Sequence, residues 1–183
     1  MLGIERIHIV NDLNIGRDFA ERIDNSKKSE SLFNSIYRSI LPICEGEVIT
    51  EVNKTDLLAT YDYREGIDVI ITLENNARLT LQEKCLTTSF NTVTFETEKN
   101  SGSLGNYYTC TAQLYFVGYV NADYTECLRY CLIDLARYKM LHAQGRIPCR
   151  YNQNQVASHR QKFMYTEFKD IPQECIVAIN HGS

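Results

Sequence analysis

Three polar residues stand on an otherwise apolar pair of predicted β-strands, in the segment GIDVIITLENNARLTLQEK, residues 66–84. They are Asp68 near its start and Gln82 and Lys84 near its end. Asp and Lys are both depleted in β-strands, so their presence here needs a reason. A carboxylate and an amide oxygen on one patch can hold Mg²⁺, which prefers oxygen ligands, with a water molecule beside it. A neighbouring Lys can orient that water and help to deprotonate it.

The spacing of the segment predicts that these three residues meet. If residues 74–76 form the loop between strands at 68–73 and 77–86, Asp68 lies directly opposite Gln82. One face of the hairpin is then apolar and carries Val69, Ile71, Leu79 and Leu81. The other face carries Ile70 and a polar set, Asp68, Thr72, Arg78, Thr80, Gln82 and Lys84. A shift of one residue would scatter the apolar side chains over both faces, so we expect this register.

In this pattern the chain resembles the PD-(D/E)XK nuclease superfamily. The signature of that superfamily is an Asp at the start of one hairpin strand, followed on the next strand by an acid, any residue and a Lys. Here it reads Ile67-Asp68 and then Gln82-Glu83-Lys84. The form GID followed by Q-x-K is similar to Mrr-type restriction endonucleases, and archaeal Holliday-junction resolvases share the same core. Ile67 stands in the proline position, and Gln82 replaces the second acid, which removes one charge from the metal site.

The resemblance implies a deoxyribonuclease that depends on Mg²⁺ or Mn²⁺ and hydrolyses phosphodiester bonds. Asp68, Gln82 and the carbonyl at Glu83 would hold the metal, and Lys84 would position the attacking water. In this superfamily a Glu on the helix before the hairpin often completes the site, and Glu30 is the best-placed match. The alternative for Glu30 is an acid that only interacts with the dipole of the first helical turn. The alternative for the hairpin is a solvated polar face without chemistry.

The segment 127–166 is basic, although the whole chain has a net charge of −4. It has a single acid, Asp134, against seven cations, which are Arg129, Arg137, Lys139, Arg146, Arg150, Arg160 and Lys162. A basic block of this kind is typical of a polyanion-binding surface. We expect DNA phosphate to contact Arg146, Arg150, Arg160 and Lys162. A basic helix docked on an acidic body is the alternative.

The order of predicted elements is a helix, several strands, a helix and more strands. Helical spacing covers 29–40 and, with Gly145 as its end, 124–144. Strand patterns cover 46–52, the hairpin, 92–98, 114–120 and a final pair at 162–168 and 175–179, with a loop at 99–106. This order predicts an α/β (α+β) fold with a central mixed β-sheet flanked by helices. The resemblance implies a restriction-endonuclease-like core.

Length and composition predict one domain over residues 1–183. The resemblance implies that this domain is nuclease-like, with a core at 28–145 and a C-terminal extension at 146–183. The seven cysteines are odd in number and scattered, which favours reduced thiols in a cytoplasm, that of the host if the source is a virus or a mobile element. No apolar run reaches the eighteen residues typical of a membrane span. We expect DNA as the partner, no membrane contact, and a homodimer as one option for assembly.

Three functions stay open at this point. The first is the metal-dependent nuclease. The second is an inactive module of the same fold, in which the basic block binds nucleic acid or protein. The third is a metal-free structural protein of a virus or mobile element. A zinc site at Cys127, Cys131, His142 and Cys149 is disfavoured, because these spacings do not match those of structural zinc sites.

Overall fold

The computed structural model describes residues 28–43, 48–51, 66–72, 77–88, 90–153 and 161–182. Helix α1 covers 28–40. The other helices are α2 (Asn106–Thr109) and α3 (Leu135–Ala143). The strands are β1 (Val48–Glu51), β2 (Val69–Thr72), β3 (Arg78–Leu86), β4 (Thr92–Glu98), β5 (Leu114–Val120), β6 (Cys127–Asp134), β7 (Arg150–Gln153), β8 (Lys162–Glu167) and β9 (Ile176–Asn180). The chain therefore has the expected mixed fold.

Six strands form the central sheet, in the order β1-β2-β3-β5-β6-β9. The sheet is mixed, because β3 pairs parallel with β5 whereas the other neighbours pair antiparallel. The predicted register of the hairpin is confirmed: Val69 faces Leu81 and Ile71 faces Leu79. Val69, Ile71 and Leu81 are fully buried.

Helix α1 covers the apolar face of the hairpin. Its Phe33 and Tyr37 pack in one cluster with Val69, Ile71 and Leu81. Both aromatic rings also meet Phe116 of β5 edge to face, at centroid distances of 4.8 and 5.1 Å. Because side chains alternate along a strand, the predicted polar residues project from the opposite face of the sheet.

A second sheet and α3 cover that opposite face. The second sheet has the order β4-β8-β7. In the sequence, β4 lies between β3 and β5, whereas β7 and β8 follow α3. The core here is rich in aromatic rings: Phe95 of β4 lies 4.4 Å from Tyr115 of β5 and 5.2 Å from Tyr138 of α3, centroid to centroid. Strand β5 lies in the central sheet, with α1 on one face and the second sheet and α3 on the other, and all of its residues are buried.

Side chains of the central sheet donate hydrogen bonds to backbone carbonyl groups of β4. The Tyr119 hydroxyl donates to the Thr92 carbonyl oxygen (2.7 Å), and the Tyr115 hydroxyl donates to the Thr94 carbonyl oxygen (2.9 Å). The Lys84 ammonium donates to the same Thr94 oxygen at 3.3 Å. An edge strand exposes unpaired backbone groups, so these contacts join the second sheet to the central one.

The predicted long helix at 124–144 is wrong in its first half. Residues Cys127–Asp134 form β6, and α3 begins only at Leu135. Asp134 caps α3, because its side chain accepts a hydrogen bond from the Arg137 amide at 2.9 Å. The predicted end at Gly145 is confirmed: Gly145 has a φ of 71°, and its amide donates to the His142 carbonyl oxygen at 2.9 Å.

The C-terminal strands exist but do not form the predicted pair. Strand β8 pairs with β4 and with the unpredicted β7, whereas β9 pairs with β6 at the edge of the central sheet. The residues after 146 thus contribute strands to both sheets. Among the described residues, no helix combines the length and the apolar character needed to cross a lipid bilayer.

Candidate metal centre at the β2–β3 hairpin

Gly66 turns the chain into β2 just before Asp68. Its φ of 60° lies in the left-handed region that favours glycine. A Cβ at this position would lie 2.8 Å from Gln82 Oε1 and 3.1 Å from Cys110 Cβ. The glycine therefore allows the turn and also leaves the space that the Gln82 side chain occupies.

Asp68, Gln82 and Glu83 form one half-buried cluster. Asp68 Oδ2 accepts hydrogen bonds from Gln82 Nε2 and from the Glu83 amide, the latter at 2.8 Å. Gln82 Nε2 also donates to the Glu83 carbonyl oxygen at 3.1 Å. The Gln82 amide nitrogen thus lies between a carboxylate oxygen and a backbone carbonyl oxygen.

The donor set of this cluster fits a hard divalent cation. Rotating the Gln82 amide by half a turn about its last bond brings Oε1 to the side of the two other oxygens. A carboxylate, an amide oxygen and a backbone carbonyl oxygen are ligands that Mg²⁺ accepts alongside water and substrate phosphate. The described residues contain no cluster of three or more His, Cys, Asp or Glu suited to a metal ion.

Lys84 lies on the same face of β3, two residues beyond Gln82. Its ammonium donates to the Thr94 carbonyl oxygen and lies 5.8 Å from the centre of the Phe163 ring. These contacts fix the end of the side chain between the central sheet and β4. The predicted grouping of Asp68, Gln82 and Lys84 on one face of the hairpin is therefore confirmed.

Two carboxylates lie on the other side of the sheet. The Glu83 side chain accepts a hydrogen bond from the Tyr37 hydroxyl of α1 at 2.5 Å, so only its backbone carbonyl belongs to the cluster. Glu30 lies on α1, where it lines a surface depression with Asn34 and Arg38. The structure therefore does not bring Glu30 to Asp68 and Gln82.

The predicted DNA-contacting cations stand beside acids. Arg146 pairs with Glu174 (2.8 Å), Arg150 with Glu167 (3.4 Å), and Lys162 with Glu98 (2.7 Å). The fourth, Arg160, lies outside the described residues. Exposed ion pairs contribute only about 0–1 kcal/mol, so these pairs hold the three cations weakly.

Sequence reasoning missed three residues around the Asp68 cluster. Burial raises the pKa of the Cys110 thiol, and the Asp68 carboxylate raises it further. Burial likewise raises the pKa of the Tyr115 hydroxyl, with smaller contributions from Cys110 and Asp68. Lys139 of α3 donates to the Cys110 carbonyl oxygen at 2.7 Å, and burial lowers its pKa. No spacing in the sequence links these residues to the hairpin, since they come from separate elements.

No protein-family model, no curated protein and no solved structure matches this chain.

Proposed function

We propose that the chain is a metal-dependent deoxyribonuclease that hydrolyses phosphodiester bonds. The observation that carries this proposal is the convergence of the Asp68 carboxylate, the Gln82 amide and the Glu83 carbonyl, with Lys84 on the same strand face. A half-buried carboxylate beside a backbone carbonyl oxygen loses part of its hydration, which costs free energy. A bound divalent cation would offset this cost by coordinating the carboxylate and carbonyl oxygens, and it could in turn bind a substrate phosphate.

Each residue has a separate role in this proposal. Asp68, Gln82 through Oε1, and the Glu83 carbonyl hold Mg²⁺ or Mn²⁺, which when bound supplies charge neutralisation for the phosphate. The Glu83 amide fixes the orientation of the Asp68 carboxylate. Lys84 orients a water molecule toward the phosphorus, and its positive charge stabilises the hydroxide form of that water.

The proposed DNA surface combines this face of the hairpin with the basic block. Arg146, Arg150 and Lys162 would exchange their carboxylate partners for phosphate oxygens. Arg150 and Lys162 lie on β7 and β8 of the second sheet, the sheet whose β4 accepts the Lys84 hydrogen bond.

One observation favours a second candidate, an inactive nucleic-acid-binding or protein-binding module. Gln82 donates a hydrogen bond to Asp68, and Lys84 donates to β4, so both side chains also have structural partners. In that case, replacing Lys84 would loosen the contact between the sheets and lower the stability, with no specific effect on hydrolysis.

Cleavage of plasmid, linear and branched DNA with Mn²⁺ separates the two candidates. The nuclease proposal predicts cleavage that EDTA abolishes and that Lys84→Ala lowers by about 10²- to 10⁴-fold, the usual contribution of a positioned acid–base group. Lys169→Ala is the matched control, because Lys169 is an exposed lysine outside the cluster that pairs with Glu167. Absence of Mn²⁺-dependent cleavage, or equal rates for the two variants, would refute the proposal.

A further inference from the structure

A cavity of about 610 Å³ opens between the end of β3 and the second sheet. Lys84 lines it, and Lys84 is the residue that the cavity shares with the proposed active site. This volume is within the range of roughly 300–1,000 Å³ that is typical of small-ligand pockets. The cavity also borders the second sheet, through Asn152 of β7 and through Phe163 and Tyr165 of β8.

The lining has two kinds of surface. Accessible aromatic rings come from Phe90, Phe163 and Tyr165, whereas the Tyr119 ring is fully buried. Hydrogen-bonding groups come from Thr88, Thr92, Thr94 and Asn152, and the Thr92 hydroxyl also contacts those of Thr94 and Tyr119. Lys84 is the charged member, and none of the described side chains that line the cavity is acidic. Phe90 is 65% exposed, which is unusual for a large apolar ring and costs free energy in water.

We propose that this cavity holds one unpaired nucleobase of single-stranded DNA, with the adjoining phosphate at Lys84. A nucleobase has an apolar face and a polar edge, and it is joined to an anion. The rings match the face, the threonine and asparagine groups match the edge, and the ammonium matches the phosphate. Arg150 lies opposite the lining residue Tyr165 across β7 and β8, so a further cation lies near the cavity.

A base in continuous duplex DNA is stacked and paired, and it cannot enter such a cavity without being extruded. The substrate class is therefore DNA that is single-stranded where it is cut. The choice of DNA as ligand rests on the proposed nuclease function. The preference for an unpaired base rests on the cavity itself.

The test is fluorescence anisotropy with a labelled oligothymidylate and with a labelled duplex, both in EDTA so that no cleavage occurs. We expect wild type to bind the single strand more tightly than the duplex. Phe90→Ala and Tyr165→Ala should each weaken single-strand binding about 5- to 150-fold, which corresponds to the loss of one stacked base. Their duplex binding should change little.

Tyr108→Ala is the matched control, because Tyr108 is 57% exposed and does not line the cavity. An unchanged melting temperature shows that Phe90→Ala leaves the fold intact. Equal single-strand affinity in wild type and in both cavity variants would overturn the inference, and so would a wild-type preference for duplex.

Parallel cleavage assays separate this inference from the nuclease proposal. Single-strand binding that depends on Phe90 and Tyr165, without any cleavage in Mn²⁺, would leave the cavity inference standing and refute the nuclease. Mn²⁺-dependent cleavage of duplex DNA at equal rates in wild type and Phe90→Ala would support the nuclease proposal and refute the cavity inference.

Discussion

The side-chain amide of Gln82 has a donor at one end and an acceptor at the other. Without a metal, its Nε2 end bonds Asp68 and the Glu83 carbonyl, so the buried oxygens keep a partner. A glutamate at this position would face Asp68 with a second negative charge, and like charges at short range repel. Gln82 thus stabilises the fold without a metal, whereas a glutamate at this position would favour binding of the proposed metal ion.

Comparing Gly66→Ala with Gly145→Ala should show whether activity depends on the geometry of the candidate metal centre or only on the stability of the chain. Both Gly66 and Gly145 have positive φ, so the backbone strain of alanine at either position should cost about 1–2 kcal/mol of unfolding free energy. At Gly66 the new Cβ also crowds the end of the Gln82 side-chain amide, in either orientation of that amide, and lies 3.1 Å from Cys110 Cβ, which adds to the cost; nothing lies within 4 Å at Gly145. We therefore expect Gly66→Ala to lose Mn²⁺-dependent cleavage and Gly145→Ala to retain it.

Urea unfolding and cleavage rates for the two glycine variants provide the measurement. Full cleavage by Gly66→Ala would mean that the position of the Gln82 side chain is irrelevant to activity.

At the scale of elements, the hairpin was predictable and the segment 124–144 was not. The hairpin has one buried face and one partly solvated face, so its period of two is visible in the sequence and fixes the register. Strand β6 is different, because Cys131, Leu132 and Ile133 are all fully buried. A strand buried on both faces loses its alternation, and its apolar run joins that of α3 into an apparent helix.

The candidate site follows the same division. Asp68, Gln82 and Lys84 share one hairpin, so strand parity was enough to group them. Cys110, Tyr115 and Lys139 reach the Asp68 region from a loop, from β5 and from α3, and only the tertiary fold brings them there. Glu30 was expected from the resemblance alone, and the packing of α1 places it across the sheet.

A buried hydrogen bond between α3 and β8 should show strong coupling. The Tyr138 and Thr166 hydroxyls lie 2.7 Å apart and are both buried. Tyr138→Phe or Thr166→Val alone leaves the other buried hydroxyl with only the Cys149 thiol as its partner, which is a weak one, at a cost of up to about 1–3 kcal/mol. The double variant removes both hydroxyls, so we expect it to lose clearly less stability than the sum of the single variants. Urea unfolding of the three proteins measures this coupling, and additive losses would contradict it.

At the scale of the whole molecule, the basic block 127–166 is not a separate charged helix. It runs through β6, α3, β7 and part of β8, and its cations reach acids that lie outside it, such as Glu98, Glu167 and Glu174. The charge asymmetry of the sequence is therefore partly balanced across the surface. In the proposed function, DNA phosphate would compete with these exposed pairs, and we expect the affinity to fall as the salt concentration rises.

Reversing Arg146 and Arg150 together to glutamate should flatten the salt dependence of single-strand binding. Each lost phosphate contact lowers the slope of log affinity against log salt by about 0.7. The control reverses Lys28 and Arg38, two exposed residues of α1, which gives the same change in net charge outside the block. Anisotropy titrations over a range of salt concentrations measure both slopes. If the two double variants have equal slopes, Arg146 and Arg150 serve the fold and do not contact DNA.

Calorimetric titration of the purified chain with Mn²⁺ tests the central claim most directly, because it requires neither substrate nor turnover. We predict one site per chain in wild type, tighter binding in Gln82→Glu, where a second carboxylate joins the set, and loss of binding in Asp68→Asn. If wild type binds no Mn²⁺, or if Gln82→Glu and Asp68→Asn both bind it as wild type does, then Asp68, Gln82 and Glu83 do not form a metal centre.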